Sequence, residues 1–341
     1  MKPERVVIAY FSPTGGTKKV AQALKDGLEA ALTTAPTTAP TTALPALSTQ
    51  APVIKAQGLN IKLGARSSAP SAALTLRPTI PATTPDTPDP SAKPTPVTTV
   101  NCLTVKSRHK DLALGPRDLF VLVYPVYFGR MPWALQQWPA LHGHGASALV
   151  VSVYGNRAIE DGERESMALL KEHGFKVVGA IEAIAEHSQE RTLAQGRPDA
   201  QDAHDFKTMA AHIIATLTQG ELPEYAFDVT TALKAPGKAP AVPRILERAQ
   251  CDDCGRCARL CPMQIIDPQT LEVPEEKAAL CMGCRACMAC CKLQCRGFPQ
   301  PILAAIAARM SQIKAANPER KPNVLKLSSE QAAAPHSAPT T

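Results

Sequence analysis

The most constraining feature of this 341-residue chain is the distribution of its 11 cysteines. Ten of them lie between residues 251 and 295, where they form two runs. Residues 251–261 have the spacing C-x2-C-x2-C-x3-C followed by proline, and residues 281–291 repeat that spacing. Two such runs supply more thiols than the four ligands of a zinc ribbon, so zinc is the weaker interpretation. The pattern therefore predicts a small domain organised around more than one thiolate-bound metal centre.

The spacing resembles that of bacterial ferredoxin domains with two [4Fe-4S] clusters, over roughly residues 245–300. In that family the fourth cysteine of each run binds the cluster of the other run. The resemblance implies that one cluster is held by Cys251, Cys254, Cys257 and Cys291, and the other by Cys281, Cys284, Cys287 and Cys261.

The second run departs from the family pattern in two places. Lys292 stands where a proline is usual, and Cys290 directly precedes Cys291. The spacing favours Cys291 as the eighth ligand and leaves Cys290 as the alternative. Arg256 and Arg285 each lie between the second and third cysteines of their run, where a cation favours the more negative, reduced form of a cluster.

Outside the cysteine region, short apolar runs alternate with helical patterns. Val20, Leu24 and Leu28 recur at helical spacing after the first apolar run, and Gly174 is positioned to end a later helix. This alternation predicts an α/β fold with a doubly wound parallel sheet over residues 1–32 and 100–220. The predicted strands are residues 6–11, 100–105, 119–127, 148–154 and 175–185.

Composition divides the rest of the chain. Residues 33–99 are a Thr/Ala/Pro-rich tract that cannot bury enough apolar surface to offset its chain entropy, which predicts a disordered insertion without chemistry. Residues 221–249 are interpreted as a linker, residues 250–300 as the two-cluster domain, and residues 301–341 as a C-terminal helix and tail. The helix carries Ile302, Ile306, Met310 and Ile313 on one face.

Three loops that follow predicted strands have the composition of a ligand site. In a doubly wound sheet these loops meet at the carboxyl edge, where ligands bind. The first is rich in hydroxyls and glycine before a helix, as a phosphate site requires, although it could be only a tight turn capped by Thr17. The candidate residues are Ser12, Thr14, Gly15, Gly16 and Thr17 in the first loop, Pro125, Tyr127 and Gly129 in the second, and Gly155, Asn156 and Arg157 in the third.

These loops resemble the FMN site of flavodoxins. The resemblance implies that the first loop binds the FMN phosphate, that Tyr127 or a neighbour flanks the flavin ring, and that residues 155–157 approach the polar edge of the ring. Tyr127 as an ordinary packing aromatic remains the alternative. Taken together, residues 4–31 and 100–300 resemble a family of flavodoxin–ferredoxin fusion proteins, which implies FMN and two [4Fe-4S] clusters as cofactors.

Composition also restricts the function classes. No apolar run approaches the roughly 18 residues of a membrane span, and the first residues do not resemble a secretory signal, so we expect a cytoplasmic protein. The net charge of +7 is not gathered into a basic stripe with aromatics, which argues against nucleic-acid binding.

We expect an electron-transfer protein with redox partner proteins. The alternatives are a flavin-dependent reductase fed by the clusters, and a scaffold that docks through its basic tail; whether the chain is an enzyme stays open.

Overall fold

The structure is a computed structural model that describes residues 2–34, 94–237, 239 and 241–329. All of these residues belong to one compact unit. Most of the predicted disordered insertion, residues 35–93, lies outside the described residues. Within the described part of the chain, no helix combines the length and the apolar composition needed to cross a membrane.

Six of the strands form one sheet in which the first five are parallel and the last is antiparallel. Its strand order is β2-β1-β4-β6-β7-β10. Counted along the chain, the parallel strands are ordered 2-1-3-4-5, which is the flavodoxin-like doubly wound order. The strands are β1 Arg5–Tyr10, β2 Val97–Asn101, β3 Leu112–Ala113, β4 Asp118–Pro125, β5 Leu141–His142, β6 Ser147–Tyr154, β7 Lys176–Ile184, β8 Arg244–Ile245, β9 Arg296–Gly297 and β10 Val324–Leu327.

Long helices cover the sheet, and short ones lie in the connections and in the cysteine region. The α-helices are α1 Gly16–Thr33, α2 Val105–Arg108, α3 Gly162–Glu172, α4 Ala200–Gln219, α5 Arg256–Arg259, α6 Ala286–Ala289 and α7 Gln300–Ala315. Single turns of 3-10 helix lie at Trp133–Gln136, Arg248–Gln250 and Glu275–Leu280.

The prediction of a mixed α/β fold with a mainly parallel sheet is confirmed, but the position predicted for its second strand, residues 100–105, is wrong. The observed β2 begins at Val97 and pairs with β1 from Val6↔Val97 to Tyr10↔Asn101. It is an edge strand with mostly exposed side chains, so it lacks the apolar run that marks the central strands. The apolar pair that follows it is buried in a turn, and Thr104 then caps α2 through a capping box with Ser107.

The two faces of the sheet have different coverings. On one face α1 and α4 pack side by side over an aliphatic core. On the other face the core continues beyond α3 into the cysteine region, because Met282, Cys284 and Ala286 belong to the same buried cluster as Tyr124 and Met131. The second cysteine run is therefore packed directly on the sheet.

The C-terminal segment completes the sheet. Helix α7 appears where the sequence predicts it, and β10 then adds an antiparallel strand beside β7, which the sequence did not indicate. The buried Asp202 accepts hydrogen bonds from Arg197 and from the Nδ2 of Asn323, and Asn323 Oδ1 accepts from the backbone of Ile184. A buried polar network thus connects α4, β7 and the segment before β10.

Candidate functional site

A cavity lies within the cysteine region, and three residues of its wall, Met282, Cys284 and Ala286, also pack in the core on the sheet. The cavity has a volume of about 30 Å³, and its lining is almost entirely apolar apart from thiols and two guanidinium groups. Four cysteines line it, three from the second run and one from the first: Cys261, Cys281, Cys284 and Cys287. These four, here called the inner cysteine set, are the same four that the ferredoxin resemblance assigns to one cluster.

The two cysteine runs have matching local structures. In each run the first two cysteines lie in a loop, and the third lies in a single-turn helix, α5 for Cys257 and α6 for Cys287. Each helix follows a residue in the left-handed region, Gly255 with φ 65° and Arg285 with φ 60°. Strands β8 and β9 pair antiparallel between the two halves. The duplication in sequence is therefore also a duplication in backbone conformation.

Burial makes thiols of the inner set less acidic. Burial raises the pKa of the Cys284 thiol strongly and that of the Cys287 thiol to about 11, since a thiolate loses solvation there. A thiolate at these positions therefore needs a bound cation or metal centre to compensate it. Over the described ranges, no group of three or more His, Cys, Asp or Glu side chains is arranged to hold a single metal ion. The four thiols of the inner set instead line the wall of one cavity.

Two guanidinium groups in the cavity wall fit an anionic group. The Nε atoms of Arg285 and Arg296 are both buried and have no hydrogen-bond partner within the described part of the chain. A buried polar atom without a partner costs about 1–3 kcal/mol, and more when the group is charged. A [4Fe-4S] cluster held by four thiolates is anionic, so the residues present fit such a group.

The remaining cysteines form a more exposed group. Cys251, Cys254 and Cys257 of the first run, together with Cys290 or Cys291, are here called the outer cysteine set. The Sγ of Cys291 lies 3.5 Å from the Sγ of the buried Cys295, whereas the Cys290 thiol donates to the carbonyl of Cys287. Both candidates for the eighth ligand therefore have other partners, and the choice between them stays a prediction.

The first predicted ligand loop connects β1 to α1. Gly15 precedes the helix with φ 98°, a conformation that other residues disfavour, and as the N-cap residue it has no side chain to cap the helix. Ser12 Oγ accepts the N–H of Lys18 at 2.9 Å, Thr14 is exposed, and Thr17 is buried. A Cβ atom on Gly16 would lie 3.3 Å from the Cβ of Ala185, so this loop lies against the end of β7.

The second loop, after Pro125 at the end of β4, lies against the cysteine region. The half-buried Tyr127 packs on the cluster that contains Cys284, and burial raises its pKa. A Cβ atom on Gly283 would lie 3.8 Å from the ring of Phe128. Gly129, with φ 77°, is buried against Glu160 and would clash with it if it carried a side chain. Tyr127 and the inner cysteine set therefore meet at the carboxyl edge of the sheet.

The third loop follows β6 at the same edge. A side chain at Gly155 would clash with the ring of His187. The buried Asn156 is occupied by the C-terminal segment, since its Nδ2 donates to the carbonyl of Glu319 at 2.7 Å and its Oδ1 accepts the N–H of Lys321 at 3.2 Å. Because Asn156 is occupied in this way, the backbone of the third loop and the side chain of Arg157 would make the predicted contact with the polar edge of the flavin.

Sequence reasoning did not single out two buried arginines near the cavity. Arg108 is fully buried and donates to the carbonyls of Cys102, Leu103, Gln137 and Pro262, the last at 2.8 Å. It thereby connects the turn after β2 to the residue that follows Cys261. Arg296 donates to the carbonyls of Leu271 and Pro243. No local pattern marks either arginine, because their partners are backbone carbonyls distant in sequence.

His187 accepts hydrogen bonds from the backbone that follows it. Its Nδ1 accepts the N–H groups of Gln189 at 3.1 Å and Glu190 at 3.2 Å. Burial, with a contribution from the charge of Arg285, lowers its pKa to about 4.

This depressed pKa predicts an acid-sensitive fold. Between about pH 6.5 and pH 4 the unfolded chain binds a proton at His187 that the folded chain does not, so the free energy of unfolding should fall by on the order of 2–3 kcal/mol. Urea unfolding at a series of pH values measures this fall. His187→Asn keeps an acceptor near the position of Nδ1 and should make the free energy of unfolding less dependent on pH in this range. His109→Asn is the control, because His109 is exposed. An unchanged slope in the His187 variant would contradict the assignment.

Comparisons with known proteins give a weak similarity to solved structures. No family model matches the chain, and no curated protein matches it. Among solved structures, the chain is similar to the one titled "Structure of a flavodoxin from the domain Archaea", with 10% identity and a TM-score of 0.32. The match covers 63% of this chain and 99% of the flavodoxin. A similarity at that level carries no conclusion about fold or function.

Proposed function

We propose that this protein is an electron-transfer protein that holds two [4Fe-4S] clusters and FMN and passes electrons between them. The observation that carries the proposal is the cavity lined by the inner cysteine set beside Tyr127. Thiols from both runs surround one cavity, as the ligand exchange of a two-cluster domain requires. The same cavity adjoins the carboxyl edge of the sheet, where a doubly wound fold of this strand order binds FMN.

Each part of the chain has a separate task in this proposal. When bound, the clusters exchange single electrons and the flavin exchanges one or two, so together they couple one-electron carriers to two-electron chemistry. The first loop binds the FMN phosphate with the backbone N–H groups before and within α1. Tyr127 flanks the flavin, and the apolar wall around Met282 and Ala286 excludes water between the two sites. Redox partner proteins supply and remove the electrons.

The direct test is cofactor analysis of the full chain. The protein is purified without oxygen, and iron, acid-labile sulfide and flavin are measured on the same sample, with absorption spectra before and after reduction. The proposal expects about eight iron, about eight sulfide and one FMN per chain, following from two cubane clusters and one flavin site. Iron without flavin would reduce the proposal to a ferredoxin, and zinc in place of iron would overturn it.

A charge introduced into the first loop tests the flavin site separately. Thr14 is exposed, so Thr14→Glu should fold normally while placing a carboxylate beside the phosphate position. We expect FMN affinity to fall at least tenfold, about 1.4 kcal/mol, with iron content unchanged. Fluorescence titration of the flavin-free protein with FMN measures the affinity. Thr208→Glu, at an exposed position of α4, is the matched control; equal affinities for both variants would exclude this loop as the phosphate site.

A second candidate function, reduction of a small polar substrate, has one observation in its favour. A cavity with an empty volume of about 710 Å³ opens beside the third loop. It is lined by Arg157, Lys321 and Lys326 as well as by Glu160, Glu163 and Glu182. Turnover of a small polar acceptor that requires FMN, and that Lys321→Ala weakens without loss of flavin, would favour the reductase over the carrier.

A further inference from the structure

We propose that the two clusters are electrostatically unequal, and that Arg285 and Arg296 give the cluster of the inner cysteine set the higher reduction potential. This inference rests on the proposed function, because it requires both clusters to be bound. The sequence presents two nearly symmetric runs with an arginine in each. The tertiary structure places Arg285 and Arg296 in the wall of the cavity of the inner set and hydrogen-bonds the buried Arg108 to the residue after Cys261, while Arg296 also faces Cys257 of the outer set.

Arg285 is directed toward the sheet side of the inner set. Its Nη1 donates to the carbonyl of Ser188 at 3.2 Å, and its guanidinium lies 5.5 Å from the centre of the Phe298 ring. Its Nε is buried without a partner, and the residue lines the same cavity as Cys284 and Cys287. The guanidinium is thus held in place by a carbonyl and an aromatic ring, with one donor unused at the cavity.

Arg296 and Arg108 add two more buried guanidinium groups around the inner set. Arg296 is 3% exposed, lines the cavity and has a buried Nε without a partner. Arg108 is fully buried and donates to the carbonyl of Pro262, next to Cys261. Among the ion pairs of the described residues, none involves Arg108, Arg285 or Arg296. An uncompensated buried cation is costly, so an anion in the cavity would stabilise all three.

The outer cysteine set has a different charge environment. Asp252 Oδ1 accepts the N–H of Cys254 at 3.2 Å, and the thiol of Cys251 donates to Asp253 at 3.8 Å. Both aspartates are exposed, and Arg248 is paired with Asp253 at 2.6 Å. Arg256 lies near Cys290, and Arg296 also faces Cys257. Carboxylates and solvent therefore offset the cations on this side.

This difference sets the order of reduction. One-electron reduction adds a negative charge to a cluster without exchanging any atom, and nearby cations stabilise that added charge most where solvent is excluded. The inner cluster should therefore accept the first electron, and the exposed outer cluster the second. Electrons that enter at the outer cluster then move toward the cluster beside Tyr127.

The experiment is a dithionite titration of the holoprotein at controlled potential, with each cluster followed by electron paramagnetic resonance. We expect two resolved one-electron steps in the wild type. Arg285→Met should lower the equilibrium constant for the first step at least tenfold, which is 59 mV for one electron, and leave the second step unchanged. Arg285→Lys should restore most of the shift, and Arg259→Met, at an exposed position of α5, should move neither step.

The variant Cys254→Ser shows which reduction step belongs to which cluster. It also keeps the inference testable if Arg285→Met does not fold. It removes a ligand of the outer set only, so the one cluster that remains should titrate at the higher potential. The inference is overturned if both wild-type clusters reduce at one potential, if Cys254→Ser retains the lower step, or if Arg285→Met shifts neither step or both equally. Absence of iron in the wild type would instead overturn the proposed function.

Discussion

Replacing Cys284 with serine is expected to reduce the iron content from about eight to about four atoms per chain, as expected for the loss of one of two four-iron clusters. Cys284 is buried in the cavity wall together with the other three thiols of the inner set. A serine hydroxyl is a much weaker ligand to iron than a thiolate, because it loses its proton far less readily. The electrons of the remaining outer cluster should then no longer reach the flavin by way of the inner cluster.

Iron and sulfide analysis together with paramagnetic resonance measures this loss. Cys102→Ser is the matched control, because Cys102 is also buried but belongs to neither cysteine run and does not line the cavity. Cys254→Ser should lose the same amount of iron from the outer set and keep the resonance that Cys284→Ser removes. Full iron content in Cys284→Ser would contradict the assignment of the cavity as a cluster site.

The second large effect is expected for Asp202→Ala, which should lower the free energy of unfolding by about 3–5 kcal/mol. Asp202 is fully buried and pairs with the guanidinium of Arg197, which is 4% exposed. Removing the carboxylate leaves a buried cation without its partner, and the Nδ2 of Asn323 loses an acceptor as well. Because Arg197 also donates to the carbonyl of Lys321, the attachment of β10 should weaken first.

Urea unfolding measures the destabilisation, and amide exchange locates it. Exchange should accelerate most in β10 and in the segment 317–323 that holds Asn156. Asp26→Ala is the control, since Asp26 is exposed on α1 and accepts only from Gln22; surface changes of that kind are usually within about 0.5 kcal/mol. A destabilisation of Asp202→Ala no larger than that of Asp26→Ala would show that the network does not stabilise the fold.

The doubly wound sheet could be predicted because the sequence pattern that marks its strands is local. Residues buried on both sides of a parallel sheet form continuous apolar runs, and β1, β4, β6 and β7 all have one. The α-helices α1, α4 and α7 show helical periodicity for the same reason, since each has one face against a core or a neighbouring element. Gly174, with φ 79°, ends the helix before β7 as its sequence position indicates.

Edge strands have a weaker apolar pattern in the sequence. The side chains of β2 are mostly exposed, so its register depends on hydrogen bonds with β1 rather than on an apolar pattern. Strand β10 has only four residues and is positioned by the network around Asp202 and Asn323. Backbone pairing and buried polar contacts between distant segments leave no periodic signal in a sequence.

The sequence by itself determined the duplicated cysteine runs, the loops that follow the strands and the alternation of strand and helix, because each depends on spacing within a few residues. Only the tertiary structure decided that the second run packs on the sheet beside Tyr127, and that Arg285 and Arg296 line the cavity of the inner set. The tertiary structure also decided that Asn156 forms hydrogen bonds with the C-terminal segment. These placements depend on which distant surfaces become buried together, and long-range burial is a property of the folded chain rather than of any local pattern.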